Sequence, residues 1–264
     1  MAKIIALFNQ AGGVGKSTVT QNLGYHLAVR GHRVLLVDMD PQASLTIFMG
    51  LDVTSLQSTI YDSLLAEETE DENVRVAISI YPEQLHKMSL SPSSVALANA
   101  EIRLATAIQR EFRLKEILEP ILDQYDFILI DCPPSLGLLS INCLVAATHM
   151  LVPIETQYKA LMGTDMLLGT FRTIRRKLNK SLAIAGFLPT RYWANNSMDR
   201  QTLESIDSQL SQVGRVFSPL PRATAVSEAS QYGKPFMEYV KKKSGNHLAV
   251  LAVFDELSLA MEAL

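Results

Sequence analysis

Cysteine is almost absent from this chain. Cys132 and Cys143 are the only two in 264 residues, with ten residues between them. Two is too few for a disulfide scaffold, and that spacing does not suit a zinc or iron–sulfur site. Both are expected to be buried or merely local thiols in a reducing cytoplasm. Also missing is any charge-free apolar run of about 18 residues, which excludes a membrane-spanning helix. The opening MAKIIALFNQ has a single lysine and a short apolar stretch. It lacks the longer apolar core and small-residue cleavage site of a signal peptide and reads as a first β-strand. Strong charge of either sign is lacking too: the formal net charge is −3, which neither favours nor excludes nucleic acid. No repeat, low-complexity tract or long linker interrupts the chain, so a single domain over 1–264 is expected.

What is present is unevenly placed. Residues 62–72 hold six acids and no base, while residues 171–243 hold thirteen Lys and Arg against five Asp and Glu, a local net charge of +8. Short apolar runs alternate with helical patterns. KIIALFN, RVLLVDMD, FILIDCPP, HMLVPIE and LAIAGFLP are nearly continuous in apolar residues, as in strands buried on both faces of a parallel sheet. Helices are expected near 16–30, 95–123, 136–147, 160–179, 198–213 and 246–263. The rhythm predicts an α/β fold, a doubly wound and mostly parallel sheet with helices on both faces. Ligands then bind at the carboxyl ends of the strands.

Three of those strand ends carry chemistry. After the first comes NQAGGVGKST, residues 9–18. Gly12, Gly13 and Gly15 leave room for phosphate oxygens, and the N–H groups of the loop, Val14 included, can form an anion nest. A helix opens at Lys16, with its positive end toward the same place. Lys16 would neutralise β/γ-phosphate charge, and Ser17, followed by Thr18, offers a hydroxyl to Mg²⁺. VLLVDMDPQAS, residues 34–44, ends a strand in Asp38 and Asp40. One residue apart, they point the same way, either to cap a helix or to serve the γ-phosphate, its Mg²⁺ and the attacking water. FILIDCPPSLG ends a third strand in Asp131, placed to hold Mg²⁺ directly or through water.

AGGVGKST, VDMDPQAS and DCPPSLGLLSINCL resemble the deviant-Walker ATPases of the ParA/MinD superfamily, above all its ParA branch. Thr190-Arg191 after a late strand and PRATAVSEASQYGKP at 221–235 fit the same branch, and the likeness runs from residue 3 to about 258. The resemblance implies a P-loop fold and a sandwich homodimer closing over ATP and Mg²⁺. It implies nonspecific binding of double-stranded DNA in that state, and release when a partner stimulates hydrolysis. Carried over by position, Asp40 handles the water, Asp38, Asp131 and Ser17 serve the metal, and Arg191, Pro221 and Arg222 lie near the adenine.

One position departs. The family's signature lysine, which reaches across the dimer to the partner's phosphates, is here Ala11. The family usually reads an apolar residue where this chain has Lys159, in YKAL after a strand. Lys159 is therefore the expected replacement. That exchange resembles the McdA subgroup, whose members distribute carboxysomes over the nucleoid with the adaptor McdB. A ParB-like adaptor and plasmid or chromosome partition are the alternative, as is a pseudo-ATPase that only binds nucleotide. The expected location is cytoplasmic and nucleoid-associated. Expected DNA contacts are Arg172, Arg175, Arg176, Lys177, Lys180, Lys241, Lys242 and Lys243, with Arg200 and Arg215 extending the set. A MinD-like membrane cycle would need a basic amphipathic end, whereas AVLAVFDELSLAMEAL has three acids and no Lys or Arg, which anionic lipid repels.

Overall fold

The continuous apolar runs become parallel strands: β1 Lys3–Leu7, β2 Val34–Asp38, β4 Phe127–Asp131, β5 His149–Glu155 and β6 Ala183–Thr190, with a short β3 Ser89–Ser91 at one edge. The computed structural model describes residues 2–66, 77–157, 163–241 and 245–264. The sheet order is β3-β2-β4-β1-β5-β6 and every pairing is parallel. Strand alternation sends Ile4, Ala6, Leu35, Val37, Ile128 and Ile130 into the core on one face, and Ile5, Leu7, Val34, Leu36, Phe127 and Leu129 into the core on the other. Each fully buried Leu, Ile or Val contributes about 1.5–3 kcal/mol, so a one-residue slip in register would be very costly.

The same parity positions the acids. Asp38 and Asp131 follow Leu36 and Leu129, so they point to the second face, and β2–β4 register sets them side by side. That face is covered by α1 Lys16–Val29, through Val19, Leu23 and Leu27. The loop helix and both acids therefore meet at one sheet end because of backbone periodicity alone. Gly24 lets α1 sit close to the strands: a Cβ there would lie 2.7 Å from Leu36 Cδ2.

Other helices follow the sequence closely: α6 Leu138–Ala146, α7 Thr164–Lys177, α8 Ser197–Leu210 and α11 Asn246–Glu262. The short α2 Ser44–Phe48, α3 Ile60–Leu65 and α10 Phe236–Tyr239, and the longer α9 Thr224–Gln231, have no counterpart in the sequence reading. The expected helix over 95–123 is broken into α4 Ala100–Arg103, α5 Arg113–Leu118 and two 3₁₀ turns. Asn142 on α6 explains part of this. Its amide donates to Arg110 O (2.9 Å) and its oxygen accepts from Leu114 N (3.0 Å), groups a continuous helix would bond internally. Pro120 in the last turn removes another donor. Both cysteines are free and buried, as expected. Among the described residues no helix is long and apolar enough to cross a membrane.

Candidate active site

The glycine loop takes the shape the sequence asks for. Gly13 (φ 75°) and Gly15 (φ 89°) are left-handed, and Gly15 caps α1. Asn9, the residue after β1 and Phe8, holds the loop at its start: its Oδ1 accepts from Ala11 N (2.9 Å) and its Nδ2 donates to Pro153 O (2.7 Å). Thr190, at the end of β6, holds the middle by donating to Val14 O (2.9 Å). Neither Asn9 nor Thr190 was assigned a site role from sequence. For Asn9 the only signal in the sequence is a polar residue just beyond an apolar run, and Thr190 enters there only as the neighbour of Arg191.

Lys16 is buried, and its Nζ donates to Asn9 O and Ala11 O, both at 3.0 Å. Burial pushes its pKa below the usual lysine range, opposed by Asp131, Cys132 and Asp40. Ala11 offers no side-chain charge, only a carbonyl for Lys16.

The three acids do three different things. Asp38 is fully buried and committed: Oδ1 accepts from Asp40 N (3.1 Å), while Oδ2 accepts from Thr46 N (2.8 Å) and Thr46 Oγ1 (2.7 Å). Of the two tasks open for it in sequence, holding a helix is the one on display, since Thr46 lies in the first turn of α2. Burial raises its pKa to about 7. Thr46 also accepts from Ser93 N (2.9 Å), and Ser93 Oγ donates to Asp40 O (2.8 Å), so the loop after β3 braces this corner. Asp40 Oδ1 accepts from Gln42 N (2.9 Å), and its side chain lines the cleft beside Gly12, Lys16 and Ser17.

Asp131 is fully buried, and neither carboxylate oxygen has a hydrogen-bond partner among the described residues. Burial and the nearby Asp38 push its pKa well above the carboxylate range, against the pull of Ser17 and Lys16. An orphaned buried carboxylate next to a hydroxyl and a lysine is a costly arrangement unless something cationic completes it. An oxygen-rich set of this kind suits a hard divalent cation such as Mg²⁺.

The phosphate part of the cleft, about 230 Å³, runs from the glycine loop to Asp40, Phe48 and Arg191. It shares Gly15, Thr18 and Arg191 with a second part of about 400 Å³, walled by Pro221, Arg222 and α9 residues including Glu228 and Gln231. The two parts meet at those three shared residues. Arg191, Pro221 and Arg222, which the resemblance puts near the adenine, all line the second part, and Arg191 lines the first part as well. A third cleft of about 320 Å³ adjoins it, lined by Glu155, Trp193, Asp199, Arg191 and Arg222.

The basic residues divide. Arg172, Arg175, Arg176 and Lys177 are exposed on the outer face of α7, Lys180 follows it, and none forms an ion pair with a described residue. Lys241 is exposed. Lys159, Lys242 and Lys243 lie outside the described residues, as does the acidic run from 67 to 72. Arg215 leaves the set: it pairs with Glu256 at 2.7 Å and lies over the Phe217 ring.

Residues 2–184 match the AAA domain family. Over 93% of its length the chain is 39% identical to the sporulation initiation inhibitor protein Soj of Bacillus subtilis, covering 94% of that protein. Its fold matches the Mycobacterium smegmatis cobyrinic acid a,c-diamide synthase solved with an ATP analogue and magnesium, with TM-score 0.77, 32% identity, and 88% and 92% of the two chains covered. It also matches the ATP complex of Cyanothece McdA, with TM-score 0.84, 23% identity, and 99% and 96% covered. At that identity the McdA likeness is one of fold.

Proposed function

The chain belongs to the ParA/Soj family of AAA-domain ATPases, and from that premise we propose that it hydrolyses ATP as a Mg²⁺-dependent homodimer that positions a cargo along DNA. The observation that carries this reading is Asp131: a buried, unpartnered carboxylate under a glycine loop, beside Ser17 and Lys16. Ser17 and Asp131 would hold the Mg²⁺, with Asp38 bracing the corner behind them, and the ion would supply charge neutralisation at the β- and γ-phosphates. The glycine loop and Lys16 bind the phosphates, Arg222 and Pro221 border the base, and Asp40 orients the attacking water. Lys159 is the partner-reaching cation in place of Ala11.

Double-stranded DNA binds the exposed bases of α7 without sequence preference, with Lys180 and Lys241–Lys243 extending the surface. Exposed Ile102 and Leu136 stand near the start of α6, where Glu101 accepts from Leu139 N. They offer apolar area for a protein contact, either the second subunit or an adaptor. The likeness to the chromosome partitioning proteins ParA of Myxococcus xanthus and Caulobacter vibrioides supports chromosome or plasmid partition with a ParB-like adaptor. Ala11 supports the second reading, carboxysome positioning with an McdB-like adaptor. α11 has Asp255, Glu256 and Glu262 and no Lys or Arg, so this helix offers anionic lipid no attraction.

The test is ATP turnover in the presence of DNA and the adaptor encoded nearby. Asp40→Ala should still bind ATP and dimerise while turnover falls by about 100-fold or more. Unchanged turnover removes Asp40 from the water-handling role. No turnover in the unaltered protein leaves a nucleotide-binding switch rather than an enzyme.

A further inference from the structure

Two cationic side chains line the phosphate part of the cleft among the described residues, Lys16 and Arg191. Lys16 is buried and tied to two carbonyls. Arg191 is different in each respect. Its side chain is 58% exposed, its one ion pair among the described residues is a single contact to Glu155 Oε1 at 3.3 Å, and that oxygen is shared with Gln157 Nε2 (3.0 Å). Its backbone is left-handed (φ 57°), unusual for a residue with a side chain.

The backbone on both sides of Arg191 is held. Thr190 donates to the glycine loop at Val14 O, Thr156 N donates to Thr190 O (3.1 Å), Tyr192 N to Leu220 O (3.0 Å) and Arg222 N to Tyr192 O (2.9 Å). A strained residue persists where its surroundings over-determine it, and such residues cluster at ligand clamps. Here the result is a guanidinium mounted on the glycine loop, at the junction of base and phosphate parts. It is the side chain lining both of those parts and the adjoining third cleft as well.

We infer that Arg191 is a nucleotide-binding residue whose guanidinium leaves Glu155 and takes the phosphates nearest the ribose, α and β, when nucleotide enters. This rests on the nucleotide-site reading above and adds to it a ligand contact and a resting latch. The chemistry fits. A nucleotide with Mg²⁺ still carries negative charge, Ala11 supplies no cation, and a guanidinium fork matches phosphate geometry with two parallel donors. The position points to α and β rather than γ, because Arg191, with Gly15 and Thr18, is common to both parts and so stands at their junction, where the phosphates nearest the ribose of a nucleotide spanning the two would lie. The contact is then present with ADP and ATP alike and acts as uniform binding rather than transition-state stabilisation. It is distinct from the trans role given to Lys159, which depends on the second subunit.

Calorimetric titration with Mg-ADP and with a non-hydrolysable Mg-ATP analogue tests it. Arg191→Ala should weaken both by a similar factor, about 10-fold. Arg191→Lys should recover part of that, keeping charge without the fork. Glu155→Gln should tighten both by releasing the latch. Arg191→Gly separates ligand contact from structure: it relieves the positive φ, so the thermal midpoint holds while affinity falls as for alanine. Lys159→Ala should leave ADP affinity intact and lose ATP-dependent dimerisation. Unchanged ADP affinity in Arg191→Ala, with Lys16→Ala disabled in parallel, overturns this inference and leaves the site reading standing. Loss confined to the ATP analogue would place Arg191 on the γ-phosphate and overturn it as stated. If Lys16→Ala also binds normally, it is the site reading that falls.

Discussion

Two regions of the molecule gather like charges, and they differ in one respect. At the carboxyl ends of β2 and β4, Asp38 and Asp131 lie side by side in full burial. On the outer face of α7, Arg172, Arg175, Arg176 and Lys177 stand exposed. Water screens the second group, so its mutual repulsion costs little. The first group is shielded from water, and the raised pKa values of both acids record the strain. Burial, not charge count, marks a place where folding works against its own stability, and such a place asks for a ligand. The α7 ridge carries no energetic mark, which is why its role rests on position and sign alone.

The largest effect belongs to the buried side. Lys16 is the cation nearest the acids in the cleft, named with Asp131, Cys132 and Asp40 among its electrostatic neighbours. Lys16→Ala removes it from both the acids and the incoming phosphates. Nucleotide affinity should fall by on the order of 100-fold or more, and ATP-dependent dimerisation with it, measured by titration and by size-exclusion chromatography with light scattering. A variant that dimerises with ATP as the unaltered protein does would break the comparison at its centre.

Next comes stability. An acid whose native pKa is raised holds its proton longer in the folded than in the unfolded chain. Stability of the nucleotide-free protein should therefore fall as pH rises from 3.8 through about 7, the span set by Asp38, and then level off. Asp131 adds to that slope in the same direction. Asp131→Asn replaces a carboxyl that is either held protonated or ionised at a cost beside Asp38 with a neutral amide of the same shape, so at neutral pH and above the melting midpoint without nucleotide should rise, by about 2–4 °C for each kcal/mol relieved. The pH slope should flatten, and Mg²⁺-dependent nucleotide binding should be lost. Stabilisation combined with loss of function is the signature of a site residue. A lower midpoint would show that Asp131 is held by favourable contacts after all.

The buried side was also the more legible in sequence. Gly-Lys-Ser after an apolar run, and acids at the ends of two more, follow from local pattern. Parallel register then brings them together without further information. What local pattern could not give is what other segments impose. Asp38 and Asp40 looked equivalent, yet Thr46 and Ser93 engage the corner behind them and leave Asp40 lining the cleft. The stretch 95–123 looked helical, yet Asn142 takes its backbone groups. The three-residue β3 is too short to announce itself. Arg191 was visible as a residue, but its left-handed backbone and its reach into the phosphate part depend on contacts with Val14, Leu220 and Arg222.

The smallest stability effect, and the one that tests the exposed side, concerns Arg175 and Arg176. α7 buries Leu167, Leu168, Phe171 and Ile174 on one stripe, so the two arginines point away from the core and support nothing in it. They do sit in the last turn, where a cation interacts favourably with the helix dipole, worth about 0.3–1 kcal/mol each at low salt. Alanine recovers part of that through its helix propensity. The double variant Arg175→Ala, Arg176→Ala should therefore melt within about 2 °C of the unaltered protein, the shift expected for roughly 0.5 kcal/mol. DNA affinity in the ATP state should respond quite differently. If each arginine meets one phosphate, log K against log salt should lose a slope of about 0.9 per contact, or about 1.8 for the pair in each subunit. A salt slope that does not move would make the ridge a plain solvated face and shift the search to Lys180 and Lys241. A large drop in melting midpoint would mean the arginines are structural. Only a stable fold with a shallower slope keeps the contrast between the two regions: charge held out of water to be neutralised by a ligand, and charge left in water to be spent on DNA.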